Sequence, residues 1–167
     1  MRDETDSLLE AWHRERPDLD VAPLAVLSRV TRLARHLDRE RRAAFAEHGL
    51  EAYEFDVLSA LRRAGRPYEL TPGDLVRQTL VGSGTTTNRL DRMESRGLID
   101  RRPDPEDGRV RRVRLTGHGR DRVDAAIADL LDRERRLLGM LSEPDRNTLA
   151  GLLRCVLVNF DSRAGNA

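Results

Sequence analysis

The sequence contains no lysine, a single cysteine and few aromatic residues. All 30 basic side chains are arginine, the cysteine is Cys155, and aromatic residues make up 4% of the chain. One cysteine excludes an internal disulfide, and the four histidines show no metal-ligand spacing with it, so we expect neither a metal nor any other cofactor. The scarcity of aromatic rings disfavours a protein that reads single-stranded nucleic acid by base stacking.

Long hydrophobic runs are also missing. Runs such as Val156 to Val158 fall far short of the roughly 20 apolar residues that a transmembrane helix needs. Residues 1–10 carry four acids and lack the apolar core of a secretory signal. With 167 residues, 38% hydrophobic and 35% charged, the composition predicts one globular unit, which we expect to be cytoplasmic.

The charges are unevenly distributed although the net charge is only +1. Residues 1–20 hold seven acids and three arginines, whereas residues 101–116 hold six arginines and three acids. The guanidinium fork suits phosphate groups and guanine edges. The second segment is therefore a candidate surface for an anionic partner.

The pattern of apolar residues predicts a mainly α-helical fold with one β-hairpin. Leu24, Leu27 and Val30, for example, fall on one stripe of a long helix. The predicted helices are 5–14, 23–47, 52–63, 71–79, 83–96, 117–141 and 143–161, and the predicted hairpin strands are 98–101 and 110–115.

Two of the short helices have the signals of a helix-turn-helix. Thr71 is a candidate N-cap, followed by Pro72 at the first helical position and Asp74 three residues after the cap. A glycine-containing turn at 82–84 then leads into the next helix. Because the hairpin follows directly, these elements predict a winged helix-turn-helix.

The long helices outside this block carry apolar stripes that the block is too small to cover. We therefore expect a homodimer in which the terminal helices of two chains share a core. The predicted organisation is an N-terminal extension helix at 1–20, a helical dimerisation region at 21–49 and 117–167, and a DNA-binding region at 50–116.

The helix from 83 to 96 has the amphipathic pattern of a DNA-recognition helix. A helical wheel places Thr86, Leu90 and Met93 on the inner side and Asn88 and Arg92 on the outer side. Asparagine bonds adenine, arginine bonds guanine, and a helix N-terminus attracts phosphate. The candidate DNA-binding residues here are Ser83, Thr85, Thr87, Asn88 and Arg92. The alternative is the solvated face of an ordinary surface helix.

The hairpin adds further arginines. Arg109 stands at its tip, where it can enter a minor groove, and Arg111 follows it as another candidate DNA contact. Arg112 and Arg114 alternate along the strand and share one side. The alternative is a solubilising hairpin whose arginines pair locally with Asp104, Glu106 and Asp107.

Residues 82–119, GSGTTTNRLDRMESRGLIDRRPDPEDGRVRRVRLTGHG, resemble the recognition helix and wing of the MarR family of bacterial transcription regulators. The resemblance rests on Asp107 and Arg109 at the wing tip together with Leu115 and Thr116. It implies a homodimeric winged-helix regulator, acting as a repressor, on a pseudo-palindromic operator. It also implies that Arg109 enters the minor groove, that Asp107 orients the wing, and that residues 87, 88 and 92 lie in the major groove.

Trp12, EFDVLSALRR at 54–63 and TTNRLDR at 86–92 resemble the urate-responsive branch of that family. The resemblance implies a ligand site made of Trp12, Asp56 and Arg89, in which a small anionic or aromatic effector captures Arg89 and releases the DNA. Ala64 departs from members that carry a polar pocket residue there. The residues themselves allow a simpler alternative, in which Trp12 anchors the first helix and Asp56 pairs with Arg89.

Two other functional classes are an enzyme and a module that binds only protein. The turn at 82–84 fits neither the nucleophile motif GxSxG nor the phosphate fingerprint GxGxxG, and no catalytic arrangement is supported by spacing, so we expect no enzymatic activity. The remaining alternative is a winged-helix module that binds protein without specific DNA binding.

Overall fold

The computed structural model describes residues 2–79, 83–104 and 111–164, and within these ranges the side chains of residues 83–86, 159 and 161–164 are not described. The helices are α1 (Glu4–Glu15), α2 (Ala22–Glu47), α3 (Ala52–Arg63), α4 (Pro72–Thr79), α5 (Ser83–Ser95), α6 (Gly117–Leu137) and α7 (Glu143–Ala164). The strands are β1 (Glu69–Leu70), β2 (Ile99–Pro103) and β3 (Arg111–Leu115).

The predicted fold class, mainly helical with a β-hairpin wing, is confirmed. The bounds of α3 are those predicted, whereas α6 ends earlier and gives way to a 3-10 turn at Leu138–Met140. The sheet also has a strand that was not predicted, since β1 pairs with β3 and the strand order is β1-β3-β2. Two residues are too few to show an alternating pattern, so only the pairing reveals this strand.

The core around α5 follows the predicted wheel. Leu90 and Met93 are buried and lie among the interior side chains of the helix-turn-helix and the sheet. Thr86, assigned to the same side, has no described side chain. The rings of Phe45 and Phe55 stack with centroids 3.9 Å apart, which joins α2 to α3. Burial of one side of α5 leaves its other side accessible.

The junction between α5 and α6 depends on two glycines. Gly97 ends α5 with a φ of +68°, and the N–H of Leu98 donates to the Met93 carbonyl at 3.0 Å. Gly119, in the first turn of α6, packs so closely that an added Cβ would lie 2.0 Å from the Leu98 carbonyl oxygen. Thr116 joins the two elements, because its hydroxyl donates to the Gly97 carbonyl at 2.7 Å.

The chain divides into two compact units, Met1–Ile127 and Ala128–Ala167. In the first unit α1 lies on α2, where Arg29 pairs with Asp3 at 2.8 Å and Asp6 at 2.7 Å. The second unit leaves large apolar side chains of α7 exposed, including Leu152, Leu157 and Phe160. Within the described residues, no helix is long and apolar enough to span a membrane.

Candidate nucleic-acid interface

The accessible side of α5 carries the polar residues expected of a recognition helix. Thr87 and Asn88 are exposed, and the side chain of Arg92, one turn after Asn88, is 66% exposed. Ser83 begins the helix, but its side chain and that of Thr85 are outside the described ones. Arg109 also lies outside the described residues. The described part of this surface is therefore centred on Asn88 and Arg92.

A row of arginines faces the beginning of α3, with Arg89 and Arg92 on one flank of α5 and Arg96 directly after it. The Arg89 guanidinium carbon lies 4.9 Å from the centre of the Tyr53 ring, a cation-π contact. The Arg92 Nη2 atom lies 3.3 Å from the Glu51 carboxylate. The arginine row thus meets acidic and aromatic side chains of α3 along its whole length.

Arg96 makes the strongest of these contacts. Its Nη1 lies 2.5 Å from Oε2 of Glu54, and its Nη2 donates to the Gly49 carbonyl at 2.6 Å. Glu54 is completely buried, and its carboxylate also accepts the Glu51 N–H at 2.9 Å. Glu54 was not among the site residues predicted from the sequence. Glu54 stands three residues after Glu51 at the start of a helix, where an acidic side chain can bond the backbone at the helix N-terminus. This spacing was the available signal in the sequence.

The opposite flank of α5 is held by the wing. Arg101 of β2 is only 15% exposed, and its Nε lies 3.2 Å from the Glu94 carboxylate. The same guanidinium pairs with Asp91, and the Arg101 N–H donates to Glu94 at 3.1 Å. The recognition helix is therefore fixed to α3 on one side and to β2 on the other.

The suggested pairing of Asp56 with Arg89 is wrong: in the described part of the chain no ion pair joins them. The physical reason is their position along α3. Tyr53 lies one turn before Asp56, at the end of α3 that faces α5, and its ring holds the Arg89 guanidinium. Trp12, 42% exposed on α1, makes no hydrogen bond or ring contact with Asp56 or Arg89 among the described interactions.

Asp56 lies instead beside a small cavity of about 260 Å³ formed by α2, α3 and the end of α4. Burial raises the pKa of the Asp56 carboxyl, an effect that the charges of Arg41 and Arg63 oppose. The lining residues are Arg41, Phe55, Asp56, Ser59, Arg63, Gln78 and Thr79. The cavity therefore brings two arginines and the Asp56 carboxyl group together beside an aromatic ring.

The described arginines of the wing divide into paired and exposed ones. Arg112 Nε lies 2.6 Å from Asp104, and Arg114 Nε lies 3.6 Å from Glu69, so local ion pairs do form in this hairpin. Arg111 is exposed and, among the described residues, has no ion pair. Arg109 and Arg111 are the two wing residues predicted to bind DNA. Of these, the structure describes only Arg111, and its side chain is accessible.

A helix-turn-helix with an exposed, firmly held second helix and an adjoining β-hairpin defines the winged-helix class. Residues 48–110 match the MarR family. The chain is 35% identical over 150 residues to the HTH-type transcriptional regulator PecS of Dickeya dadantii, covering 90% of each protein. The chain belongs to the MarR family of transcriptional regulators.

Solved structures agree with this assignment. A cysteine-to-serine mutant of E. coli MarR complexed with operator DNA is 28% identical, with a TM-score of 0.68 over 83% of this chain and 99% of that one. Bordetella bronchiseptica BpsR, whose DNA binding is regulated by 6-hydroxynicotinic acid, is also 28% identical, with a TM-score of 0.60 over 76% of this chain and 91% of that one. Both likenesses cover most of the chain.

Proposed function

We propose that the protein is a homodimeric repressor that binds a pseudo-palindromic DNA operator with half-sites about one helical turn apart. The carrying observation is the exposed surface around Asn88 and Arg92 on a helix held along both flanks. Operator binding by the related E. coli MarR mutant supports the same role. The proposed DNA contacts are Ser83, Thr85, Thr87, Asn88, Arg92, Arg109 and Arg111.

The fixed orientation of α5 is what base reading requires. Bidentate bonds from Asn88 to adenine and from Arg92 to guanine need the helix axis to be held within a small angular range. The buried Glu54 contact and the Arg101 contacts supply that restraint. A module that binds only protein has no need of this combination, so we favour DNA binding over that alternative.

Dimerisation is proposed from the exposed apolar side chains of the long helices. Leu152 is 62% and Phe160 is 63% exposed on α7, and Val26 is 60% exposed on α2. Proteins rarely leave so many large apolar groups in water, and a second copy would bury them. We assign residues 21–49 and 117–167 to the dimerisation region, 50–116 to the DNA-binding region and 1–20 to the extension helix.

We further propose that a small anionic or aromatic effector binds through Trp12, Asp56 and Arg89 and releases the DNA. Arg89 is held by a cation-π contact with Tyr53, and an anion would compete for that guanidinium. Losing this contact changes one of the restraints on α5 and favours a dimer whose recognition helices no longer fit the operator. The regulation of BpsR by 6-hydroxynicotinic acid supports this ligand class.

The DNA-binding proposal is tested by fluorescence anisotropy on the DNA upstream of the protein's own coding region, with scrambled competitor, at two salt concentrations. The parent should bind tightly and resist the competitor, and Asn88→Ala and Arg109→Ala should each weaken binding by about 1–3 kcal/mol. Arg135→Ala is the control, because that arginine is exposed on α6 and outside the proposed DNA surface. The proposal would be contradicted if higher salt weakened binding equally on the upstream and the scrambled DNA. It would also be contradicted if both DNA-surface variants bound as the parent does.

The effector proposal is tested by titrating the protein–DNA complex with aromatic carboxylates and urate. We expect at least one compound to lower the anisotropy of the parent complex, and Arg89→Ala, which lacks the Tyr53 contact from the outset, to bind the operator more weakly and to show no further response to the compound. A response that persists in Arg89→Ala would remove Arg89 from the ligand site.

A further inference from the structure

A second cavity, the wing-base pocket, lies where the connection between α3 and β1 meets β3 and the start of α6. Its volume is about 370 Å³, and its lining includes Arg66, Tyr68, Arg114 and Arg120. No acidic residue is among its lining residues. The wall of the pocket is therefore cationic, unlike the Asp56 cavity, whose two arginines face a carboxyl group.

The guanidinium groups of this pocket are not tied up by close ion pairs. Arg66 is exposed and, among the described residues, forms no ion pair. Arg114 lies 3.6 Å from Glu69, and Arg120 lies 3.4 Å from the highly exposed Asp121. The Arg120 pair is solvent-exposed and therefore weak, whereas the Glu69 carboxylate beside Arg114 is only 19% exposed, so an entering anion must compete with Glu69 for Arg114.

The backbone and Tyr68 complete the pocket. α6 begins at Gly117, where the first amide groups of the helix have no intrahelical acceptor and its dipole is positive. The Gly119 N–H already donates to the Thr116 hydroxyl at 3.0 Å, whereas a Cβ added to Gly117 would meet no heavy atom within 4 Å, so the pocket is open beside Gly117. On the other wall, the Arg62 guanidinium lies 5.2 Å from the centre of the Tyr68 ring and holds it in place.

We propose that the wing-base pocket binds a small phosphate-bearing ligand. Three arginines line the pocket, and each guanidinium group can donate two hydrogen bonds to a phosphate dianion. A phosphate attached to a larger ligand fits the volume, which is within the range of small-molecule sites. This site shares no lining residue with the Asp56 cavity and stands independently of the proposed effector.

A phosphate group of bound DNA is the other candidate occupant of the pocket. The position of Arg114 along β3 argues against it. Arg114 lies three residues farther from the wing tip than the exposed Arg111, a distance of about 10 Å along a strand. The pocket is thus at the base of the wing, away from the end proposed to enter the minor groove. A free phosphate compound is the occupant that we infer.

Isothermal titration of the full-length protein with inorganic phosphate, without DNA and at constant ionic strength, tests this site. We expect saturable binding of one phosphate per chain that weakens about tenfold or more in Arg66→Gln, which removes a charged hydrogen-bond donor. Arg122→Gln is the matched control, because it removes the same charge from α6 outside the pocket lining. No saturable binding, or equal weakening in both variants, would overturn the proposal.

The DNA source is tested by the salt dependence of operator binding. If the pocket serves a free ligand, the slope of log affinity against log salt is the same for Arg66→Gln and the parent. A slope smaller by about 0.9 would mean that the pocket holds a DNA phosphate, and would overturn the small-ligand proposal. The phosphate titration needs no operator, so failure of the DNA-binding proposal leaves it intact.

Discussion

The guanidinium of Arg96, the residue that follows α5, bonds the completely buried carboxylate of Glu54 at the start of α3. A buried carboxylate is expensive to desolvate, and the Arg96 charge together with the Glu51 N–H compensates for that cost. This contact lies beside the surface proposed to read DNA. Within one row of arginines, Arg96 should therefore serve stability and Arg92 should serve DNA recognition.

Arg96→Ala should therefore destabilise the protein much more than Arg92→Ala. Removing Arg96 leaves Glu54 buried without its cation, which should cost about 3 kcal/mol of unfolding free energy. Arg92 pairs with Glu51 at the surface, where such pairs contribute about 1 kcal/mol or less. Urea unfolding of both variants measures the difference, and similar losses would refute the role assigned to Glu54.

Glu51→Gln should strengthen operator binding by a few fold. In the free protein the Glu51 carboxylate lies 3.3 Å from Arg92 and competes with DNA for its guanidinium. The substitution removes that competition and one negative charge near the phosphates. Anisotropy titrations measure the change, with Glu10→Gln on α1 as the charge-matched control. Unchanged or weaker operator binding would show that Glu51 does not compete with DNA for the Arg92 guanidinium.

Gly119→Ala should destabilise the protein strongly. An alanine Cβ would lie 2.0 Å from the Leu98 carbonyl oxygen, so α6 would have to move away from the end of α5. Overpacking of this kind costs about 1–3 kcal/mol or more. Gly117→Ala is the control, since its Cβ would meet no atom within 4 Å. Thermal unfolding should separate the two, and matching midpoints would disprove the close approach.

Asp56→Asn should stabilise the protein at neutral pH and have little effect in acid. Burial raises the pKa of this carboxyl above its ordinary 3.8, so the folded state holds the proton more tightly than the unfolded chain. Stability is therefore lost as the pH rises from about 3.8 through the folded pKa, and the substitution removes that loss. Urea unfolding at pH 4 and pH 7, with the exposed Asp121→Asn as control, tests this. A gain that does not depend on pH would contradict it.

Leu152→Glu should convert the proposed dimer into monomers. The side chain is 62% exposed within one chain, so a charge there is harmless to the monomer but costly in a shared apolar core. Asn147→Glu, at an exposed polar position on the other side of the same helix, is the comparison. Sedimentation velocity gives the mass directly. A monomeric parent, or a dimeric Leu152→Glu variant, would rule out this part of α7 as the interface.

Local signals were sufficient to predict most of the helices. The stripe containing Leu24, Leu27 and Val30 predicted α2, and the Thr71 cap with Pro72 predicted the start of α4. The wheel separated buried Leu90 and Met93 from exposed Asn88. These predictions succeed because helical periodicity and capping involve residues that are close together in the chain.

Contacts between distant residues were not predictable in the same way. The sequence offered Asp56 as a partner for Arg89, but Tyr53 has that place, and Glu54 rather than Asp56 binds the recognition helix. The choice depends on which end of α3 meets α5, and no local pattern encodes it. The two residues of β1 likewise become a strand only through their pairing with β3.

The sequence by itself determined the class of protein, because periodicity, caps and the arginine-rich hairpin act within short segments and specify a winged helix. Tertiary structure alone decided which charges remain accessible. It buries Glu54 against Arg96, leaves Arg92 and Arg111 at the surface, and gathers Arg66, Arg114 and Arg120 around one cavity. Packing distant segments together determines each side chain's solvation and its partners, and these determine what the side chain can bind.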